Sequence, residues 1–344
     1  MSVQGPSHRD TVGISGMGYY IPDGILTSQE MSRRSGIPES VFLEKIGIER
    51  KHIAGPGLHP AEMGVHAANN AIEDAGIDPR ELDLVVYCGL GYYDYRFWSP
   101  AAKIQDKTGA KNAYAFEIRN GCNGGNLGLH TAKELLLGDP EKEYALVVCS
   151  DKLSMTINYR NPGSLSGFSF ADGAAAAVLR KNNENNRFLA YAGITDGTLV
   201  DHVKIPHGGT KNPPSEPPLH ENEYFLCVDD PAGLDQIFSR IYLKNYLHII
   251  NEALRKSGYS SRDIDYLFMN QVKRSLTTDI MAGLSLDLTR TMITMKEYGH
   301  MGSVDTLFAL ARAREERRVL PGNLVVLAGS AIGFTWAATV LKFF

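Results

Sequence analysis

The chain has little that ties it to an oxidising compartment, a membrane or a nucleic acid. Its 344 residues include only four cysteines, Cys88, Cys122, Cys149 and Cys227, and no CxxC pair. That spacing supplies neither a disulfide framework nor a zinc site, so no metal is expected and a cytoplasmic location fits. Charge of one sign is also lacking. Thirty-five basic residues stand against 39 acidic ones, a net charge of −4. Such a balance gives no bulk attraction to nucleic acid or to an anionic membrane, and neither is expected as a partner. The polar first ten residues hold no apolar core and predict no secretory leader. Long hydrophobic runs are missing too. The least polar stretch, Leu324 to Leu341, is cut by Gly329-Ser330-Ala331-Ile332-Gly333, which predicts a buried β-hairpin in place of a membrane span.

What is present is the composition of a soluble globular chain, 43% hydrophobic and 22% charged, long enough for one large domain or two ordinary ones. It is organised around Phe116 to Leu129. Glycine-rich Asn120-Gly121-Cys122-Asn123-Gly124-Gly125 separates a short strand from a helix that runs to Gly138-Asp139-Pro140. Cys122 falls at the turn, where unpartnered N–H groups and the positive end of the helix dipole favour a thiolate. The neighbouring glycines admit a substrate close to the sulfur. A small buried cysteine in a tight turn is the alternative.

Strands are expected at Val12–Pro22, Leu82–Gly89, Tyr144–Ser150 and Phe170–Leu179, with helices at Ser28–Arg34, Pro60–Ala75 and Ala101–Thr108. Gly47 to Ile53 reads as a polar-edged surface segment. Tyr92, Tyr93, Tyr95, Phe97 and Trp98 crowd one loop, which suits a pocket wall or a subunit interface better than open solvent. Pro206 to Pro231 reads as irregular chain, either a cover over a site or a disordered surface loop.

An internal repeat organises the rest. Ala71 to Val86 matches Ala253 to Phe268 without gaps, and Asn120–Gly124 matches Tyr298–Gly302, both about 180 residues apart. Two copies of one α/β unit follow, 1–183 and 184–344, with the boundary in the polar stretch 181–187. If the copies pack about a pseudo-dyad, Cys122 and His300 occupy equivalent, facing turns. Asn270 takes the strand end equivalent to Cys88. A cysteine, a histidine and an asparagine then converge, an inventory that suits an activated nucleophile with an oxyanion donor.

From Val12 to Phe344 the chain resembles the thiolase superfamily, and within it the β-ketoacyl-acyl-carrier-protein synthase III family. The resemblance rests on Gly16-Met17-Gly18-Tyr19-Tyr20-Ile21-Pro22, on Gly47 to Ala54, on Phe170-Ala171-Asp172-Gly173-Ala174, and on Gly333-Phe334-Thr335-Trp336. It implies an α/β thiolase fold, five-layered αβαβα and built from two duplicated halves. It also implies an obligate homodimer and Cys122 as nucleophile. Oxyanion-hole N–H groups are implied at Cys122 and at Ile332 or Gly333. Trp98 falls where the family places an aromatic that reaches the partner's acyl pocket. The family's coenzyme A-stacking Trp falls on Val41, and its nearby Arg on Lys45.

The departures carry chemistry. The family's His-Gln-Ala-Asn motif reads Asn270-Gln271-Val272-Lys273 here, and its Gly-Asn turn reads Gly299-His300, so His and Asn have exchanged places. True thiolases share that exchange but add a second cysteine near the C-terminus, which this chain lacks. The expected reaction is acyl transfer from a thioester to Cys122, then decarboxylative Claisen condensation with a malonyl thioester, a step that needs no second thiol. His300 is the expected acid/base. Asn270 is the expected donor to the second thioester carbonyl. Lys273 suits a carboxylate or a carrier-protein phosphate, or else forms a solvated edge. Acyl-CoA or acyl-carrier-protein thioesters are the expected substrates, and no cofactor is expected. Acyl transfer to a hydroxyl or amine, thiolase-like cleavage, and a non-catalytic partner subunit are the competing readings.

Overall fold

The computed structural model describes residues 11–344; the polar N-terminal stretch read as lacking a leader lies outside them. The first half comprises β1 (Val12–Tyr20), β2 (Gly24–Thr27), α1 (Ser28–Ser35), β3 (Arg50–Ile53), α2 (Pro60–Ala75), β4 (Leu82–Tyr87), α3 (Pro100–Thr108), β5 (Tyr114–Glu117), α4 (Gly124–Gly138), β6 (Tyr144–Lys152) and β7 (Asp172–Lys181). The second comprises β8 (Arg187–Thr195), β9 (Val203–Lys204), β10 (Cys227–Val228), α5 (Pro231–Ser257), β11 (Tyr266–Met269), α6 (Arg274–Gly283), α7 (Met295–Tyr298), α8 (Asp305–Glu315), β12 (Leu324–Ala331) and β13 (Thr335–Lys342).

Nine strands align in the order β11-β12-β13-β8-β1-β7-β6-β4-β5. The duplication is visible in the pairing. Parallel β4/β6, antiparallel β6/β7 and antiparallel β7/β1 recur as parallel β11/β12, antiparallel β12/β13 and antiparallel β13/β8. The two sets meet through one β1–β8 pair, Gly13 with Arg187. Helix α2 packs outside β1, β6 and β7, and α5 packs outside β8, β12 and β13. Between the two sets lie α4 and α8, each in contact with strands of both halves. This gives the five layers.

The central helices bury apolar side chains toward both sets of strands and keep charged residues such as Glu134 of α4 and Glu315 of α8 at the exposed end. Leu307, Phe308, Leu310 and Ala313 of α8 join Leu129, Ala132 and Leu136 of α4 in one buried cluster. Each large side chain there contributes roughly 1.5–3 kcal/mol by leaving water. At Gly128 a Cβ would sit 2.2 Å from Cys88 Sγ, so α4 lies against β4 only because that position has no side chain.

The expected strands and helices are present, and Leu324–Leu341 is a two-stranded antiparallel hairpin. Two expectations are corrected. The segment around Gly47–Ile53 is not merely a surface edge: β3 pairs with β2, and Lys51 is fully buried. Pro206–Pro231 is not wholly irregular, since β10 pairs back onto β9 and a short helical turn spans Glu221–Tyr224. No helix among the described residues is long and apolar enough to cross a membrane.

Candidate active site

Both central helices begin at a tight turn, and the two turns face each other. Gly121–Asn123 forms a single 3-10 turn ahead of α4, and Gly302–Val304 forms one ahead of α8. Gly121 enters its turn at φ 53°, in the left-handed region, and Gly299 and Gly302 take φ 77° and 67° around His300. Only glycine adopts such angles at no steric cost. Cys122 Sγ and His300 Nε2 come within 3.3 Å, across 178 residues of sequence. Both are buried, Cys122 at 5% exposure and His300 at 1%.

The other imidazole nitrogen is held by a carboxylate. His300 Nδ1 lies 2.5 Å from Asp305 Oδ2, and Asp305 also accepts from the backbone N–H of Met301 at 2.8 Å and of Gln271 at 3.2 Å. Burial works to push the proton off His300. The Asp305 charge, then the Cys122 sulfur and hydrogen bonds to both, outweigh it and hold the imidazolium well above its ordinary pKa. Protonated His300 therefore donates to Asp305 and turns its second N–H toward Cys122 Sγ. A cysteine, an imidazolium and a carboxylate in this order can serve as a thiol nucleophile, its proton donor and the group that orients that donor.

A strap fixes the His300 backbone. His300 N donates to Ser169 O at 2.8 Å and Ala171 N donates to His300 O at 2.9 Å. Lys51 Nζ clamps that strap from below, donating to Phe168 O at 2.8 Å and Phe170 O at 2.5 Å. Burial lowers the Lys51 pKa to about 7. Asp151, also buried, accepts from Ser303 N and Oγ and from Leu90 N, so it ties the His300 turn to the start of the aromatic loop. Burial pushes Asp151 up to about 6.

The turn between β12 and β13 sits against the nucleophile turn. A Cβ on Gly121 would lie 2.9 Å from Ala331 Cβ and 3.4 Å from Ile332 O. Asn123 Nδ2 donates to Thr335 O and Oγ1, and Thr335 Oγ1 donates to Asn120 Oδ1. These bonds fix the separation between Cys122 and the Ile332–Gly333 backbone.

The other expected residues are distributed as follows. Asn270 is buried at the end of β11, and its side chain bonds Tyr246 and Ser330 while its neighbour Gln271 holds Asp305. It does not bond Cys122 or His300. Trp98 is half-buried, edge-on to Tyr95 with centroids 5.6 Å apart. Lys273 is exposed just before α6. Lys45 is exposed and Val41 half-buried on the short π-helical segment Val41–Ile46. Sequence reasoning missed Asp305, Lys51, Asp151 and the Ser169 strap. A carboxylate placed to open the helix just after the His300 turn is a signal for Asp305; the other three are apparent only in three dimensions.

This duplicated, five-layered arrangement with paired central helices is the thiolase fold. Two family models match it: 3-oxoacyl-[acyl-carrier-protein (ACP)] synthase III over residues 116–197, and the C-terminal part of the same family over 254–343. The β-ketoacyl-[acyl-carrier-protein] synthase III of Desulfitobacterium hafniense is 30% identical over 336 residues, which cover 96% of this chain and 98% of that one. The 3-oxoacyl-[acyl-carrier-protein] synthase III of Aquifex aeolicus superposes with a TM-score of 0.84 at 22% identity, over 96% of this chain and 100% of that one. A priming β-ketosynthase from the R1128 polyketide pathway gives a TM-score of 0.86 at 22% identity, over 99% of both chains. The chain belongs to the 3-oxoacyl-[acyl-carrier-protein] synthase III family and is an acyltransferase.

Proposed function

We propose that the protein joins an acyl group to a malonyl thioester by decarboxylative Claisen condensation, with Cys122 as the acyl carrier. The observation that supports this most is the 3.3 Å approach of Cys122 Sγ to a histidine held charged by Asp305. In the first half-reaction the Cys122 thiolate attacks the thioester carbonyl and forms a carbon–sulfur bond. The backbone N–H of Cys122, with one from Ile332 or Gly333, holds the tetrahedral oxyanion. Collapse expels the donor thiolate, which takes its proton from His300.

In the second half-reaction the malonyl thioester loses carbon dioxide. The electron pair of that bond becomes an enolate, whose oxygen accepts a hydrogen bond from Asn270 and one from His300, which has regained a solvent proton at Nε2 in place of the one given to the leaving thiolate. The enolate carbon attacks the acyl-Cys122 carbonyl, the carbon–sulfur bond breaks, and the thiolate is regenerated. No further base enters, in keeping with the lack of a second thiol near the C-terminus. The steps use acyl-CoA or acyl-carrier-protein thioesters as substrates and no cofactor. Lys273 stands free at the surface for a carrier-protein phosphate or a carboxylate.

A homodimer is part of this reading. Phe97 is fully exposed, Tyr92 and Tyr95 are exposed, and β5 is an edge strand carrying exposed Tyr114. An apolar patch beside an open edge suits a second copy, and Trp98 on the same loop would then reach the partner's acyl pocket.

The test is intact-protein mass after incubation with a panel of acyl-CoA thioesters, with Cys122→Ala beside it. A gain of one acyl group in the wild type, absent in the variant, supports the reading and names the donor. Acylation that persists in Cys122→Ala would refute it.

A further inference from the structure

Asn270 is oriented by a chain of buried hydroxyls that the reaction above does not use. Its Oδ1 faces the backbone N–H of Ser330 at 2.9 Å, and its Nδ2 faces the backbone C=O of the same residue at 2.8 Å. A backbone N–H only donates and a C=O only accepts, so this pair fixes which end of the amide is oxygen. The Tyr246 hydroxyl donates to the same Oδ1 at 2.7 Å. Tyr246 also lies 3.2 Å from Ser330 Oγ, and Ser330 Oγ in turn meets the Tyr242 hydroxyl. Tyr246 has one proton, and Asn270 takes it. The same hydroxyl lies within reach of Ser330 Oγ, which pairs with the Tyr242 hydroxyl, where either oxygen can donate. The result is a hydroxyl relay behind the Asn270 amide oxygen, made by Tyr246, Ser330 and Tyr242.

Asn270 adjoins the turn that carries Cys122: a Cβ on Gly329 would lie 2.4 Å from Asn123 Oδ1 and 3.3 Å from Asn270 Oδ1. Tyr246 and Ser330 are buried, whereas Tyr242 is half-buried. Burial raises both phenols, Tyr242 to about 12, and the charge of Cys122 adds to the rise in each. Both hydroxyls thus stay protonated as donors through the neutral range. The amide oxygen accepts two hydrogen bonds, and one Nδ2 hydrogen goes to Ser330 O. Among the described residues the second Nδ2 hydrogen has no acceptor. Hydrogen bonds accepted at a carboxamide oxygen draw charge from its nitrogen and strengthen the remaining N–H as a donor.

We propose that Tyr246, backed by Ser330 and Tyr242, is a positioning residue for the second half-reaction: it fixes and polarises Asn270 so that the free amide hydrogen meets the enolate oxygen of the decarboxylating thioester. The proposal rests on the condensation reading above. It also gives a physical reason for asparagine at this position, since an amide can have its oxygen tied into a relay while its nitrogen still donates.

The experiment measures two rates in wild type, Tyr246→Phe and Ser330→Ala: acylation of Cys122 by quenched-flow mass spectrometry, and carbon dioxide release from malonyl thioester by the acylated enzyme. Tyr246→Phe is expected to acylate within about twofold of wild type. Its kcat for carbon dioxide release is expected to fall at least about tenfold, with KM for the malonyl thioester within about threefold. Tyr246→Phe combined with Asn270→Ala is expected to be no worse than Asn270→Ala alone, because both changes break one device. Equal loss in the two half-reactions, an unchanged condensation rate, or additive losses in the double variant would overturn the proposal. Should Tyr246→Phe fail to fold, as judged by circular dichroism, Ser330→Ala decides on the same criteria. A wild type that acylates but releases no carbon dioxide would overturn the condensation reading and the relay together. A wild type that condenses while both variants match it would overturn the relay alone.

Discussion

With Asp305 Oδ2 2.5 Å from its Nδ1, His300 keeps its proton far above the usual imidazole range, although burial works the other way. Asp305→Asn removes that support. The acylation rate is expected to fall on the order of 10³-fold, and its alkaline limb is expected to move to lower pH, because His300 then loses its proton earlier and can no longer protonate the leaving thiolate. Acylation rates between pH 6 and 9 check both effects; an unmoved limb would count against the assigned partner. Lys51 tests linkage at the same scale. Its folded pKa, about 7, lies below the ordinary lysine value of 10.5, so the unfolded chain binds the proton more tightly. This contribution to stability is fully present above the unfolded pKa and is lost as pH falls through the folded one. Urea melts of wild type and Lys51→Met should therefore diverge in favour of wild type as pH rises from 7 to 9, by roughly 1.4 kcal/mol per unit at most. Parallel curves would show that the Lys51 proton is not held as described.

At the scale of the element, the two turns ahead of α4 and α8 decide whether the nucleophile and its base meet. Gly121 has no room for a side chain and sits in the left-handed region. Gly121→Ala is expected to strain the turn and push it off Ala331. The acylation rate should then drop by about tenfold or more while the melting temperature falls only a few degrees. Wild-type acylation by this variant would mean the turn has slack. These turns were legible in the sequence because the repeat aligned Cys122 with His300 and because glycine marks left-handed backbone. Helix and strand periodicity located most of the elements for the same local reasons. What stayed hidden depends on contacts between distant segments. Lys51 looks like a surface lysine in a polar run, and only the strap from Phe168 to Phe170 buries it. Asn270 was legible as a site residue, but its partners Tyr246 and Ser330 come from α5 and β12, with nothing in the local sequence to join them. The short β9/β10 pair escaped notice because two-residue strands carry no period.

For the molecule as a whole, duplication explains the architecture. Two α/β units place their equivalent turns face to face and hold α4 and α8 between them, which puts Cys122 and His300 at the start of the two helices that touch strands of both halves. The family was legible from motifs spread along the chain. The proposed self-association surface rests on five aromatic side chains in one loop. Phe97 is fully exposed on a single copy, so Phe97→Asp should leave the melt of one copy nearly unchanged while, on the proposed dimer, shifting sedimentation to monomer and lowering turnover. A variant that still sediments as wild type would remove this loop from the interface.

The measurement that bears most directly on the central claim is a single turnover of isolated acyl-Cys122 enzyme with malonyl thioester labelled in its free carboxyl group. The expected result is one labelled carbon dioxide and one β-ketoacyl product for each acyl group lost from Cys122, with neither formed by Cys122→Ala. Loss of the acyl group to a hydroxyl or amine, without carbon dioxide, would contradict condensation and leave a thioester-dependent acyltransferase of another kind.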